Sequence, residues 1–389
     1  MAGVKKGAAL LLSVVFIQYG LAQRNLCEVP DLGTMAPGEF KPKFSLTHVW
    51  QGAAGGVNTK NADRITGLYD FDLYYLLWAE ELETQQGDYA LVNFSSQMAF
   101  GNGLNDKVGS YFEINEAAKG DQDFYIDKLF VESTFFDRLF TLDIGKFELI
   151  DFFDANAAAN CEKSQFLATP LYTDIAIPFP SKGLGVRGKF QPDEWWYVQA
   201  GIMDAHGNKR ETGFQTAFHD DPDYVSTLEY GLQPRFFDLP GTYRFIMWYD
   251  PQDKSYLDGS GKSMQDDHGY AISFDQDINA RTTLFCRYGW ADEKVNEVED
   301  FISFGGQVKG LADGRPDDVL GVGYAYGLRS PEGLSSGDDR HIDLMETYYR
   351  IAVNKNLYIT PSIQLVMDPG GTTNESPATV FGIRCRYMF

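Results

Sequence analysis

The last eleven residues, Thr379–Phe389, read TVFGIRCRYMF. Thr379, Phe381, Ile383, Cys385, Tyr387 and Phe389 fall on one side of a period-two pattern; Gly382, Arg384 and Arg386 fall on the other. Faces this unlike require a strand between two different media. A water-soluble sandwich would bury the apolar face. A membrane barrel would turn it to lipid and leave the arginines to an aqueous lumen. Alternation alone does not separate the two, so the connections must.

The same pattern recurs upstream. It predicts strands near 44–56, 63–80, 89–101, 123–135, 139–147, 183–191, 194–204, 226–236, 241–250, 267–277, 281–291, 299–309, 317–328, 342–353, 357–367 and 379–389. That is sixteen, an even number. One set of connections is short, around Asp137, Pro192, Asp238–Gly241 and Asn354–Asn356. The other set is mostly long: 102–122, 148–182, 205–225, 251–266, 329–341 and 368–378, with 57–62 and 292–298 as short exceptions. Short turns at one end and long loops at the other fit an all-β, antiparallel transmembrane barrel, and a sandwich has no reason to sort its loops this way. Segments of roughly 9–13 residues also suit tilted membrane strands. Rings toward strand ends (Trp248, Tyr249, Trp290, Tyr348, Tyr349 and Tyr387) fit interfacial girdles.

The first residues carry an export signal. Lys5 and Lys6 precede the apolar run Ala8–Ile17, and Gly20-Leu21-Ala22 is a small-x-small cleavage site. The expected division is 1–22 signal peptide, 23–42 short periplasmic segment and 43–389 outer-membrane barrel, exported by the general secretory route. The formal net charge of −22 moves to −24 when the two signal lysines leave. An acidic chain without a basic patch excludes most nucleic-acid partners. Tyr and Phe together number 51, which is incompatible with an acidic disordered chain. Acidic runs at 219–224 and 250–267 fall in long loops and face water.

No enzyme, cofactor or metal centre is expected. A hydrolase needs a nucleophile beside a base. His206, His219, His268 and His341 lie in or beside long loops, none next to a G-x-S-x-G motif, and His48 alternates with the polar face of the first strand. The four cysteines, Cys27, Cys161, Cys286 and Cys385, form no C-x-x-C pair. Their spacing leaves open whether Cys27 and Cys161 form a disulfide.

Alternation assigns the lumen. Leu184, Val186 and Gly188 face lipid, so Arg187 and Lys189 face inward. The same reasoning turns Asp70, Asp72, Lys128, Glu132, Glu229, Gln233, Arg235, Arg244, Trp248, Arg287, Glu346, Arg350, Arg384 and Arg386 inward. A lipid-facing Arg or Lys near the midplane would cost about 2–4 kcal/mol, so the placement is forced whatever these residues do. Aromatic faces and Arg forks would suit the C–H faces and hydroxyls of passing sugars.

Several segments resemble the carbohydrate-selective porins of the OprB family: DIGKFELIDFFD running into FFDANAAANCEKSQFLATPL (Asp143–Leu171), YRFIMWYDPQ (Tyr243–Gln252), ISFDQDI (Ile272–Ile278), LFCRYGWADEKVNEVEDFISFGGQVKGL (Leu284–Leu311) and PSIQLVMDPGG (Pro361–Gly371). Cys161 and Cys286 depart from the expected pattern. The resemblance implies a sixteen-stranded barrel that passes mono- and small oligosaccharides downhill, with outer-membrane lipid around it and an Arg- and aromatic-lined pore. A general or anion-preferring small-solute porin is the alternative, and a barrel enzyme or structural barrel a remote one. An oligomer, such as a trimer, and a monomer both stay open. The connection 148–182 would be the third outer loop, folded inward, with a helical turn over Ala155–Asn160. Asp154, Asn156, Asn160 and Gln165 would then be polar lining of its constriction.

Overall fold

The computed structural model describes residues 35–58, 62–80, 87–218, 222–335, 338–372 and 375–389. The signal segment and Cys27 lie outside them. Sixteen long strands run in chain order: β1 Phe40–Ala54, β2 Asp63–Ala79, β3 Tyr89–Phe100, β4 Gln122–Phe135, β5 Phe140–Phe147, β6 Gly183–Phe190, β7 Trp196–Asp204, β8 Tyr224–Leu232, β9 Leu239–Asp250, β10 Asp267–Asn279, β11 Thr282–Ala291, β12 Val298–Lys309, β13 Val319–Arg329, β14 His341–Ala352, β15 Leu357–Val366 and β16 Ala378–Met388. Each pairs antiparallel with the next, and β16 closes on β1 from Ser45↔Met388 to Ala54↔Thr379. Closure leaves no sheet edge unpaired. Among the described residues no helix is long and apolar enough to cross a membrane; the chain crosses with strands.

Burial decides which face is which. Ile65, Phe124, Ile144, Val186, Ile272, Phe304, Phe381 and Ile383 are large apolar side chains on the outside, and all are exposed. Asp70, Glu132, Asp143, Glu229, Arg287, Glu346 and Arg384 are inside and buried. This reverses a soluble sandwich and matches a barrel whose outer face meets lipid. Trp248 and Tyr348 correct the girdle expectation: both point inward and are buried, whereas Tyr249 and Tyr387 do stand on the outer face. Tyr348 can lie flat inside because its neighbour is Gly321, where a Cβ would sit 2.2 Å from the ring.

The short turns are tightly specified. Phe136, Asp137 and Arg138 all take positive φ, and the Asp88 carboxylate accepts the backbone N–H groups of Asp137 and Arg138. Phe237 and Asp238 also have positive φ, as a two-residue hairpin turn requires. β8 ends at Leu232 rather than 236, because Pro234 has no N–H for the ladder. Met35, ahead of β1, is buried against Tyr74, Leu76, Tyr89 and Leu91 at the turn end of the barrel.

Candidate functional site

The outer connection after β5, residues 148–182, does not stand above the barrel; its polar groups are held by inward side chains around the wall. Arg287 Nε on β11 lies 2.8 Å from both carboxylate oxygens of Asp154. The Asp154 N–H donates to Glu229 on β8 at 3.0 Å. Asn156 donates to the Phe274 carbonyl on β10 at 3.0 Å. Lys163 pairs with Asp70 on β2 at 3.0 Å. Arg384 on β16 donates to the carbonyls of Glu162 and Gln165. Glu346 on β14 accepts the N–H groups of Leu167 and Ala168 at 2.8–3.1 Å. Gln199 on β7 donates to the Phe152 carbonyl at 2.9 Å. Strands on opposite sides of the barrel thus hold one loop between them.

The loop is not a helix over Ala155–Asn160. The carbonyls of Ala157 and Ala159 go to Gln165 Nε2 and Arg287 Nη2, and the Asn160 N–H goes to Gln165 Oε1. Specific polar partners outbid weak local propensity. One helical turn, α2, forms later at Thr169–Tyr172 (α1 is Asn105–Val108 in the previous loop). Ala158, Ala159, Phe166, Ala168 and Leu171 pack with Trp248, Phe285, Phe301 and Tyr348, forming a dry core on the β9–β14 side. Cys161 within the loop is disulfide-bonded, while Cys286 and Cys385 are free thiols.

The expected pore-lining residues therefore divide. Asp154, Asn156, Asn160 and Gln165 are at most 5% exposed and serve the contact between loop and wall rather than an open path. Arg287, Glu346 and Arg384 point inward and bond to the loop, with Arg287 Nη1 and Arg384 Nε left without a hydrogen-bond partner. Arg187 is paired with Asp143 at 2.7 Å and bonded to Gln199; Arg244 is paired with Asp275 at 2.7 Å. The Glu132 carboxylate takes the Tyr89 hydroxyl. Arg350 lies over the Tyr358 ring and reaches the Ser164 carbonyl at 3.4 Å, and Arg386 is buried on the inner face of β16. Trp248 belongs to the dry core. Arg235 is exposed rather than in the lumen: beyond Pro234 the two residues Arg235–Phe236 pair only with Leu239–Pro240 at the end of the hairpin, and its side chain donates to the Asp238 carbonyl at 2.7 Å.

Open space is found on the opposite side. A cavity of about 490 Å3 lies between this loop and the β3–β4 wall. Gln97, Asp127 and Lys128 line it from the wall, Glu116 and Lys119 from the preceding loop, and Glu148, Asp151, Glu162, Lys163, Tyr172, Asp174 and Lys182 from the third loop. Ile175, Ile177, Pro178 and Phe179 supply an apolar stripe beside these charges. A β-bulge explains the wall side: Ser95 pairs with Lys128 and Ser96 with Ile126, leaving Asp127 extra. Asp127 and Lys128 therefore both point inward, although they are adjacent. Lys128 pairs with Asp151 at 2.6 Å, and Lys182 pairs with Asp127 at 2.9 Å and Glu148 at 3.2 Å.

These pairs shift the loop's protonation. Burial and the neighbouring Glu148 charge push the Asp151 carboxyl up to about 6, against the pull of Lys128. Lys182 is pushed up by Glu148 and Asp127, which together overcome burial. Asp174 is pushed well above the carboxylate range by burial and by Asp154. Alternation assigned Lys128 correctly but could not find Asp127, because the bulge reverses the phase after one residue. Lys182 and Glu148 carry no local motif and meet only through the loop's path.

A closed barrel with an apolar exterior, a charged interior and an inward loop beside a cavity has the architecture of a membrane channel. The chain matches the family model described as "Carbohydrate-selective porin, OprB family" over residues 78–389 and belongs to that family. Porin B of Pseudomonas aeruginosa is 24% identical, with 89% of this chain and 87% of that protein covered. Porin AaxA of Chlamydia muridarum is 20% identical over 66% of this chain and 54% of that protein. The high-pH structure of Pseudomonas putida OprB superposes with a TM-score of 0.77 at 18% identity, covering 90% of this chain and 94% of that one. The chain is a porin of the bacterial outer membrane.

Proposed function

We propose that mono- and small oligosaccharides cross the membrane downhill through the passage between the third loop and the β3–β4 wall. The observation that carries this reading is the pairing of two surfaces along one path. Charged rungs, Lys128–Asp151 and Lys182–Asp127–Glu148, and the apolar side chains of Ile175, Ile177, Pro178 and Phe179 line the same cavity. A sugar has the same two-sided chemistry: hydroxyls that donate and accept, and C–H faces that prefer apolar contact. Its hydroxyls can replace water on ammonium and carboxylate groups already neutralised by each other. The solute is then held weakly enough to leave, which conduction requires. The arginines first expected at the pore instead support the path by fixing the loop that forms its other wall.

Liposome swelling tests the reading. Proteoliposomes should admit monosaccharides faster than disaccharides, and Lys182→Gln should change the ratio between them. Sugar entry no faster than in protein-free liposomes would remove the proposal. Equal rates for sugars and size-matched amino acids would favour a general small-solute pore.

A further inference from the structure

The third loop also borders a second hollow. Thr169, Ile175 and Pro178 line the passage, and the same three residues line a separate cavity of about 260 Å3. Its other walls are Tyr111, Phe112 and Glu113 of the second outer loop, and Ala291, Asn296, Glu297 and Val298 around the turn from β11 to β12. All of these connections belong to the outer end of the barrel, and Glu297 is exposed there. A solute leaving this hollow past Ile175 and Pro178 would enter the passage.

The walls are fixed by their own contacts. Phe112 is buried edge-on to Phe301, with ring centroids 6.3 Å apart. Gly327 on β13 leaves room for it, since a Cβ there would sit 3.0 Å from the ring. The Tyr111 hydroxyl donates to Glu297 Oε2 at 2.7 Å, and Arg329 lies over the Tyr111 ring at 5.0 Å. Burial and the Glu297 carboxylate push the Tyr111 phenol well above its ordinary value, so it stays the donor in that bond. The second and third loops are joined by two backbone bonds of 2.9 Å, Glu116 N–H to the Leu167 carbonyl and Thr169 N–H to the Glu113 carbonyl. The hollow is therefore shaped before any solute arrives, which lowers the cost of binding.

Its chemistry is two-sided. Ile175, Ala176, Pro178 and Val298 are apolar. On the polar side, the Asn296 amide nitrogen already donates to Asp267 Oδ2 and to the Asp292 carbonyl, both at 3.0 Å, which leaves the amide oxygen to accept. Glu297 receives Tyr111 on Oε2, which leaves Oε1 to accept. Arg329 is not part of the lining; its Nη1 donates to the Asp339 carbonyl at 3.1 Å. The polar side thus offers acceptors and negative charge, suited to a solute that donates. The volume is below the roughly 300–1,000 Å3 of pockets for drug-sized ligands and suits a single ring. We propose that this hollow is an outer subsite for one pyranose ring of a neutral sugar, with hydroxyls donating to Glu297 and Asn296 and the C–H face on Ile175 and Pro178, and that it disfavours acidic sugars. The subsite rests on the reading of the adjoining passage as the sugar path.

The test is saturation-transfer NMR on the full chain, in a detergent without a sugar headgroup, titrated with methyl glucoside or with the corresponding glucuronide. The wild type should bind the glucoside about tenfold more tightly, as expected where a hydrogen bond to a charged group is exchanged for repulsion. Tyr111→Ala removes a wall and should weaken glucoside binding about tenfold. Glu297→Gln keeps the shape without the charge and should narrow the preference to about threefold or less. Equal binding of the two sugars by the wild type would overturn the proposal. Glucoside affinity unchanged in Tyr111→Ala, together with an unchanged preference in Glu297→Gln, would overturn it too. Liposome swelling separates the subsite from the path. Sugar entry with binding unchanged in both variants removes the subsite and leaves the path. Binding that is weakened in the variants, with no sugar entry in the wild type, removes the path and leaves the subsite.

Discussion

Arg287 and Asp154 meet inside the barrel, 133 residues apart in sequence, with Nε 2.8 Å from both carboxylate oxygens and the two side chains 0% and 1% exposed. The pair ties the third loop to β11. Removing one partner of a buried pair leaves the other charge uncompensated, at a cost of about 3–5 kcal/mol. Arg287→Ala and Asp154→Asn should each release the loop, giving larger and noisier single-channel currents in a planar bilayer. The apolar double variant Arg287→Met/Asp154→Leu should recover part of the lost thermal stability. Currents identical to wild type in both single variants would mean that the pair does not hold the constriction.

On the proposed path, ion selectivity follows from the charges lining the cavity. Lys119, Lys128, Lys163 and Lys182 face Glu116, Asp127, Glu148, Asp151, Glu162 and Asp174. Burial and Asp154 push the Asp174 carboxyl up, and the other five acids stand ahead of the four lysines by one. A weak cation preference is expected in reversal potentials under a salt gradient. Lys182→Gln should strengthen it and Asp127→Asn should abolish it. Anion preference in the wild type would show that the inward arginines, not these rungs, face the permeating ion.

The preference should depend on pH. Asp151 titrates near 6, so above that value it is ionised and paired with Lys128. As pH falls through about 6 it takes up a proton, and the passage gains one unit of positive charge. Cation preference should decline between about pH 7 and 5, and Asp151→Asn should remove that decline. A flat profile in the wild type would contradict the assignment of Asp151 to the conducting path.

Trp248 and Arg235 make a pair of controls. Trp248 is buried with Phe285 and Tyr348, so Trp248→Ala should cost about 3–5 kcal/mol of barrel stability, measured by thermal unfolding. Arg235 is exposed in a turn, and Arg235→Ala should leave stability and sugar flux unchanged. Sugar affinity lost in Trp248→Ala without loss of stability would move this ring into the path.

The sequence by itself determined the barrel. Strand count, face and order were legible because lipid outside and polar groups inside force each residue to one side with a period of two, as Thr379–Phe389 displays at the closing seam. Inward placement of Arg187, Arg244, Arg287, Glu346 and Arg384 followed from the same constraint. Which of them faces the solute did not, since alternation reports direction and not cover. Only tertiary structure brought the third loop across the lumen, matched Asp154 to Arg287 and Glu346 to the Leu167 and Ala168 N–H groups, and opened the cavity at Asp127, Lys128 and Lys182. A one-residue bulge and a thirty-five-residue loop held by distant partners leave no periodic trace. Their positions are set by buried polar groups that must each find a partner.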